Sequence, residues 1–367
     1  MIFLKIILFL FRIFPLNKNL ILFMEGSYNS FNGNCRAIYE KLKKNKNYKF
    51  VLLVKDEKQT INLLNLIISK YSSIRTFYYL ATAKYCFFTT EAYKAFSKRR
   101  GQLFVNLWHG AGAFKKFGMS CKYNKYIQKY DGNIVDIIVV SSDRIIDFYQ
   151  EALGARKEKI KNLGIPRADI FFKEDEKLKV KEKFFNKYPE LKNKKIIMYA
   201  PTFRDNDKGN FKLKLDIDLM KEKLEKLGYI LFLRLHPSIK KDNISVDNIF
   251  SYDFSKYEQV SDLLIVSDIL ISDYSSIIFE FSIMKKPILF YSYDVEEYIK
   301  DRGFYYNYYE FIPNKINYTT EEVINSIINK EWDLERIEKF AKYFFNPFDG
   351  NSTERVLKEV GLWEEEK

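Results

Sequence analysis

The stretch Ile269-Leu-Ile-Ser-Asp-Tyr-Ser-Ser-Ile-Ile-Phe-Glu280 decides the fold class. Its apolar run reads as a strand ending at Ile271, a polar turn follows, and Ser275 or Ser276 stands where the cap of a new helix belongs. A strand that passes through a short turn into a helix is the repeating unit of a parallel sheet. The free N–H groups and positive dipole end of such a helix form an anion site, and a serine hydroxyl adds a donor. Glu280, on the second turn of the helix, is placed to reach a ribose hydroxyl. A structural N-cap also accounts for the serines, so the neighbouring segments have to decide.

They favour an anionic ligand. Tyr199-Ala-Pro-Thr-Phe-Arg-Asp205 puts Thr202 and Arg204 at another strand end, and Arg234 precedes His236. Cationic groups at strand ends around one helix N-terminus suit a pyrophosphate. Outward from here the same rhythm repeats. Apolar runs at Lys195 to Tyr199, Tyr229 to Leu235, Leu263 to Val266, Ile269 to Ile271 and Pro287 to Tyr291 read as strands of one series. An earlier series reads at Leu20 to Met24, Phe50 to Val54, Tyr85 to Thr89, Leu103 to Trp108 and Ile137 to Val140, with helices such as Cys35 to Lys44 and Arg144 to Leu153 between them. A Lys/Glu-rich helix, Glu174 to Tyr188, separates the two. The expected fold is α/β: two Rossmann-type domains with parallel sheets facing a central cleft, which suits 367 residues.

Only two histidines occur, and both fall at such strand ends. Strand ends are where open α/β sheets place ligand groups, and histidine exchanges protons near neutrality. His109 lies in Leu107-Trp108-His109-Gly110-Ala111-Gly112, with glycines that permit close backbone approach and Lys115 and Lys116 just beyond. Nearby positive charge disfavours the imidazolium and leaves His109 available as a base. His236 lies in Leu233-Arg234-Leu235-His236-Pro237.

Composition narrows the partners. Sixty-one Lys and Arg against 48 Asp and Glu leave a net charge of +13, which favours an anionic partner. Nucleic acid is disfavoured, because the aromatics fall at core spacing inside strands and helices rather than between clustered basic residues. Three widely spaced cysteines argue against a disulfide framework or thiolate zinc site. Asp205-Asn-Asp207 and Asp216-Ile-Asp218 superficially match an Asp-x-Asp metal motif, but they lie in a Lys-rich stretch; neither a metal nor a cofactor is expected. The apolar segment Met1 to Phe14, interrupted by Lys5 and Arg12 and stopped by Pro15, is shorter than the roughly 20 residues a membrane span requires. It reads as a helix lying on an acidic membrane surface, with a first helix packed on the domain as the alternative.

Taken in order, the motifs resemble the CDP-glycerol glycerophosphotransferase family, the teichoic acid primases and polymerases of bacterial cell-wall and capsule assembly. The segments that carry the resemblance are Trp108-His109-Gly110, Gly164-Ile-Pro-Arg-Ala-Asp169, Tyr199-Ala-Pro-Thr-Phe-Arg-Asp205, His236-Pro237, Ser267-Asp268 with Ser272-Asp-Tyr-Ser-Ser276, Pro287-Ile-Leu-Phe-Tyr291, Arg302-Gly-Phe304 and Asp349-Gly-Asn-Ser-Thr-Glu-Arg355. The chain departs from the family in having Ala111-Gly112 after His109-Gly110, and Phe203 where the family usually has Trp.

The resemblance implies a GT-B-like fold. Residues 1–16 would form an amphipathic membrane-associating segment, 17–172 an acceptor-side Rossmann-like domain and 173–194 a helical connector. Residues 195–348 would form the domain that binds the CDP-polyol donor, and 349–367 a helix crossing back to the first domain. It further implies transfer of glycerol phosphate or ribitol phosphate from CDP-glycerol or CDP-ribitol to a lipid-linked saccharide or polyol-phosphate acceptor, releasing CMP, at the cytoplasmic face of the bacterial inner membrane. The implied roles are His109 as base toward the acceptor, with Gly110 and Lys115 supporting it, and His236 toward the donor pyrophosphate. Ser275, Ser276, Thr202, Arg204 and Arg355 would hold donor phosphates, and Asp273 and Glu280 would orient neighbours or meet the ribose. The alternative is a GT-B glycosyltransferase that uses a nucleotide sugar. The absence of an extra domain in this sequence favours a primase-like or short-chain enzyme.

Overall fold

The computed structural model describes residues 2–25, 31–54, 66–70, 73–90, 98–121, 132–202, 204, 213–235 and 246–363. Two compact units emerge: Met1–Asp169 together with Phe344–Lys367, and Ile170–Tyr343. The Lys/Glu-rich helix, Glu174–Lys187, belongs to the second unit, and the last helix, Ser352–Glu359, to the first.

In the first unit β1 (Asn17–Met24), β2 (Lys49–Val54), β3 (Leu66–Lys70), β4 (Ala83–Phe88), β5 (Leu103–Asn106), β6 (Ile137–Val140) and β7 (Ile160–Asn162) form a parallel sheet in the order β3-β2-β1-β4-β5-β6-β7. The central strands are buried along most of their length because helices cover both faces, which is why they read as unbroken apolar runs. Ile21, Phe23, Phe50, Leu52, Phe87 and Val105 share one core with Ile38 and Tyr39 of helix Asn34–Leu42. Val356 and Leu357 of the last helix enter the same core. Full burial of each such side chain stabilises the unit by roughly 1.5–3 kcal/mol.

The second unit repeats the plan. Strands β8 (Lys195–Ala200), β9 (Tyr229–Leu233), β10 (Ser251–Asp253), β11 (Ile269–Ser272), β12 (Ile288–Tyr291) and β13 (Ile316–Asn317) are parallel in the order β10-β9-β8-β11-β12-β13. Both orders reverse direction once, between β1 and β4 and between β8 and β11. Such a reversal opens a crevice beyond the C-terminal ends of the two flanking strands, and ligands bind there in open α/β sheets.

Three expectations are corrected. Leu263 to Val266 is the end of a helix, Val260–Val266, rather than a strand. All four side chains are buried because the helix packs between helix Glu174–Lys187 and β8, so the run has no polar face to betray its period. β5 ends at Asn106, since Trp108 takes a φ of 51° and turns the chain out of extended geometry. β9 ends at Leu233, two residues before the expected end.

Candidate active site

At the reversal of the first sheet, Met24 pairs in register with Phe88, so Glu25 and Thr89 leave β1 and β4 side by side. Thr89 N–H donates to the Met24 carbonyl (3.2 Å), and Thr89 Oγ1 donates to Glu25 Oε2 (3.2 Å). The Thr89 carbonyl faces His109 Nδ1 at 2.8 Å. A carbonyl can only accept, so Nδ1 carries the proton in this contact and Nε2 the lone pair. The imidazole is exposed and stacks on the Trp108 indole, with ring centroids 4.3 Å apart.

The loop that carries His109 is built by hydrogen bonds to its main chain. Asn34 Nδ2 donates to the carbonyls of Leu107 and Trp108, both at 2.9 Å, while Asn34 Oδ1 accepts from Arg167 N–H. Asn106 Oδ1 accepts from Trp108 N–H, which stabilises the turn at the unusual φ of Trp108. Tyr149 O–H reaches the carbonyls of Gly110 and Gly112, and Gly112 N–H donates to Ser141 Oγ. Gly110 is buried in this frame, and Lys115 is half-buried further along the loop. Asn34, Thr89 and Glu25 were not among the residues expected from sequence. Each is a common residue type with no spacing that marks it, and only the strand order brings it to His109.

Glu25 has its carboxyl enclosed, and burial pushes its pKa up to about 7 against the opposing effects of Thr89, Arg167 and Cys35. A Cβ at Gly33 would sit 3.3 Å from Glu25 Oε2, so glycine keeps this approach open.

At the reversal of the second sheet, Thr202 follows β8 and Asp273 follows β11. Thr202 N–H donates to Asp273 Oδ1 (2.9 Å). Arg204 Nε and Nη2 form a fork on Asp294 (2.7 and 2.9 Å), Nη2 also meets Asp273 (2.9 Å), and Nη1 donates to the Thr202 carbonyl (2.5 Å). Burial opposes the charge, yet Asp273 and Asp294 outweigh it and hold the guanidinium pKa above the ordinary arginine value. The ring of Tyr274 lies 4.8 Å from the guanidinium and stacks on Tyr298 at 3.9 Å. Arg204, expected as an open cation for a phosphate, therefore has a partner on all three of its nitrogens. Thr202 Oγ1 is enclosed and has no hydrogen-bond partner among the described residues. The next residues on this turn are Ser275, whose Oγ accepts from Ile277 N–H at 3.5 Å, and Ser276, which caps helix Ile277–Ser282 by position but makes no side-chain cap bond. Glu280 on that helix is buried.

Arg355 is placed elsewhere, in the first unit. Its Nη1 bridges both oxygens of Asp349 (2.8 and 2.7 Å), and its Nε donates to the Leu163 carbonyl. Asp169 accepts from the N–H groups of Ser352 and Thr353, at 2.9 and 2.8 Å, and so caps the last helix. At Gly164 (φ 85°) a Cβ would run into Ser352 Oγ. The Gly164–Asp169 and Asp349–Arg355 motifs thus form one clamp on the C-terminal helix. Arg234 is likewise engaged, donating to the carbonyls of Phe254 and Ser255. His236 and the Asp205–Asp207 motif lie outside the described residues. Asp216 is the N-cap of helix Ile217–Leu224, its side chain accepting from Leu219 N–H. No group of three potential metal ligands occurs among the described residues.

The chain is 36% identical to the teichoic acid poly(ribitol-phosphate) polymerase of Bacillus spizizenii over 97% of its own length and 58% of that protein's. It is 32% identical to the teichoic acid ribitol-phosphate primase of the same organism, over 93% of this chain and 90% of the primase. The first of these relatives is thus considerably longer than the region matched here. Among solved structures, the wall teichoic acid polymerase TagF superposes with a TM-score of 0.87 at 23% identity, covering 98% of this chain and 93% of the other, and so shares the GT-B-like α/β fold. The sequence pattern of the CDP-Glycerol:Poly(glycerophosphate) glycerophosphotransferase family matches residues 6–362, and the chain belongs to that family.

Proposed function

We propose that the protein transfers glycerol phosphate or ribitol phosphate from a CDP-polyol to a hydroxyl of a lipid-linked saccharide or polyol-phosphate acceptor, releasing CMP, in teichoic acid or capsule-type polymer synthesis. The observation that carries this reading is the exposed His109, whose Nδ1 is set by the Thr89 carbonyl so that Nε2 presents a lone pair. In the reaction the acceptor oxygen bonds to the β-phosphorus as its proton passes to His109 Nε2. The bond from that phosphorus to the bridging oxygen breaks, and its electron pair leaves with CMP. Proton removal of this kind contributes roughly 10²–10⁴-fold.

Donor phosphates belong at the reversal of the second sheet. Among the described residues Thr202 Oγ1 is a buried hydroxyl without a partner, a situation native proteins resolve with a ligand or water. Ser275 and Ser276 add hydroxyls on the adjacent turn, and His236 supplies a further donor to the pyrophosphate. Arg204 holds this turn through Asp273 and Asp294 rather than neutralising the donor, and Arg355 anchors the last helix.

The protein works as a peripheral protein on the anionic cytoplasmic face of the bacterial inner membrane. Among the described residues no helix is long and apolar enough to cross a membrane. Helix Ile2–Leu10 and the turn Phe11–Ile13 leave Phe9 68% and Ile13 85% exposed, and Phe11 and Phe14 pack on Tyr78 beside the exposed Ile74. Apolar side chains held outward beside Arg12 and Arg75 suit an interface rich in anionic lipid.

Nucleotide release from CDP-glycerol, CDP-ribitol and a panel of UDP-sugars, each with a lipid-linked acceptor, tests the reading. CMP from a CDP-polyol supports it. UDP release with the CDP-polyols inert would make the protein a glycosyltransferase instead.

A further inference from the structure

Glu25 is a half-buried acid, its carboxyl enclosed, that the transfer mechanism above does not use. It stands at the reversal of the first sheet, where β1 and β4 diverge, and its Oε2 accepts from Thr89 Oγ1. Thr89 is thereby held twice by the end of β1, through its N–H on the Met24 carbonyl and its hydroxyl on Glu25. Its carbonyl meets His109 Nδ1. Cys35, in the first turn of helix Asn34–Leu42, and Arg167 both favour the ionised form of the same carboxyl, and Gly33 leaves room for it.

We infer that Glu25 is a positioning residue for His109, acting through Thr89 to fix the imidazole's orientation and tautomer and to favour its protonated form as it takes up a proton. The physical argument is that of a histidine oriented by a carboxylate, with one residue interposed. A hydroxyl hydrogen-bonded to the Glu25 carboxyl is held in one orientation, so the peptide plane of Thr89 keeps its carbonyl on Nδ1–H. When Nε2 gains a proton, that hydrogen bond becomes charge-assisted and strengthens, and the carboxylate behind it adds attraction. The inference rests on the reading of His109 as base only for its effect on turnover; its effect on the imidazole is independent of that reading.

With two histidines in the chain, ¹⁵N labelling of the imidazoles gives a spectrum of two rings, assigned with His236→Gln. At pH 8, above the raised pKa of about 7, Glu25 carries its charge in the parent protein. Glu25→Gln should lower the His109 imidazolium pKa, and Thr89→Val should mix its two neutral tautomers, while the signals of His236 stay in place in both. Thr89→Ser, which retains the hydroxyl, should keep the parent tautomer. In turnover with a CDP-polyol, Glu25→Gln and Thr89→Val should lose roughly 10–100-fold in kcat with KM for the donor little changed. His109 signals in both variants that superpose on those of the parent, with native circular dichroism, would overturn the proposal. Should Glu25→Gln not fold, the contrast between Thr89→Val and Thr89→Ser decides alone, equal spectra counting against it. Turnover surviving in His109→Ala would instead remove the base assignment and leave the spectroscopic result to judge Glu25.

Discussion

The main-chain carbonyl of Thr89 lies 2.8 Å from Nδ1 of His109. The contact joins the end of one strand to a residue just beyond its neighbour, and it sets which nitrogen of an exposed imidazole can take a proton. If Nε2 is the base, His109→Ala should lower CMP release from the CDP-polyol by about 10²–10⁴-fold. Far-ultraviolet circular dichroism should stay native, because the exposed ring contributes no core packing. Near-parental turnover would dismiss the base.

Glu25 also makes stability depend on pH. Its pKa, about 7 in the folded protein, lies above the ordinary 4.5. Between those values the folded protein holds a proton that the unfolded chain has released, so stability falls as pH rises through that window and levels off above it. The groups that bear on the carboxyl are Thr89, Arg167 and Cys35, all of which favour its ionised form, and burial outweighs them. The change is about 3 kcal/mol at most. Urea unfolding at pH 5 and pH 7.5 should show a smaller difference for Glu25→Gln than for the parent; an unchanged difference would refute the assignment.

Arg204 binds two carboxylates in a largely buried setting. Arg204→Met should destabilise by about 3–5 kcal/mol, since it leaves Asp273 and Asp294 facing each other without their cation. Arg204→Lys should recover only part of this, because an ammonium cannot reproduce the fork on Asp294 while reaching Asp273. Thermal unfolding of the three proteins ranks them; a fully stable Arg204→Met would show that the cluster contributes nothing net.

Asp169 caps the last helix from 183 residues away in sequence. Asp169→Ala should cost about 1–2 kcal/mol, as loss of an N-cap does. Hydrogen exchange should quicken first in residues 352–362, whose Val356, Leu357 and Leu362 pack into the first core. Uniform quickening throughout the chain would argue against a local clamp.

The outward apolar side chains near the N-terminus should govern membrane attachment. Phe9→Ser with Ile13→Ser should weaken binding to vesicles containing anionic phosphatidylglycerol by tenfold or more, since each side chain is worth roughly 1.5–3 kcal/mol when buried. Sedimentation with vesicles measures it, and unchanged partitioning would contradict the membrane reading.

Much of this protein was legible before any coordinates. Apolar runs bounded by polar turns marked most of the strands, because a parallel strand covered on both faces tolerates few polar side chains. The short strands β3, β7, β10 and β13 did not stand out, being edge or brief segments with weak apolar signatures. Leu263 to Val266 misread as a strand because a helical turn enclosed on all sides loses its amphipathic period. His109 was marked by rarity and by glycine neighbours, and Ser275 and Ser276 by their place after a strand.

Tertiary structure decided what the cations do and what stands behind the histidine. Sequence shows that Arg204 and Arg355 are positively charged, but charge at a strand end says nothing about which carboxylate folds against it. Asp294 reaches Arg204 from 90 residues away and Asp349 reaches Arg355 within its own motif, so one arginine stiffens a turn and the other ties down a helix. Glu25 and Thr89 are unremarkable in the chain, 64 residues apart, and become partners only because β1 and β4 are neighbours in the sheet. Local pattern determined the elements and the reactive residue types, since both follow from periodicity and side-chain chemistry. The strand order decided the pairings, because hydrogen bonds and ion pairs depend on distance in space, which sequence separation does not measure.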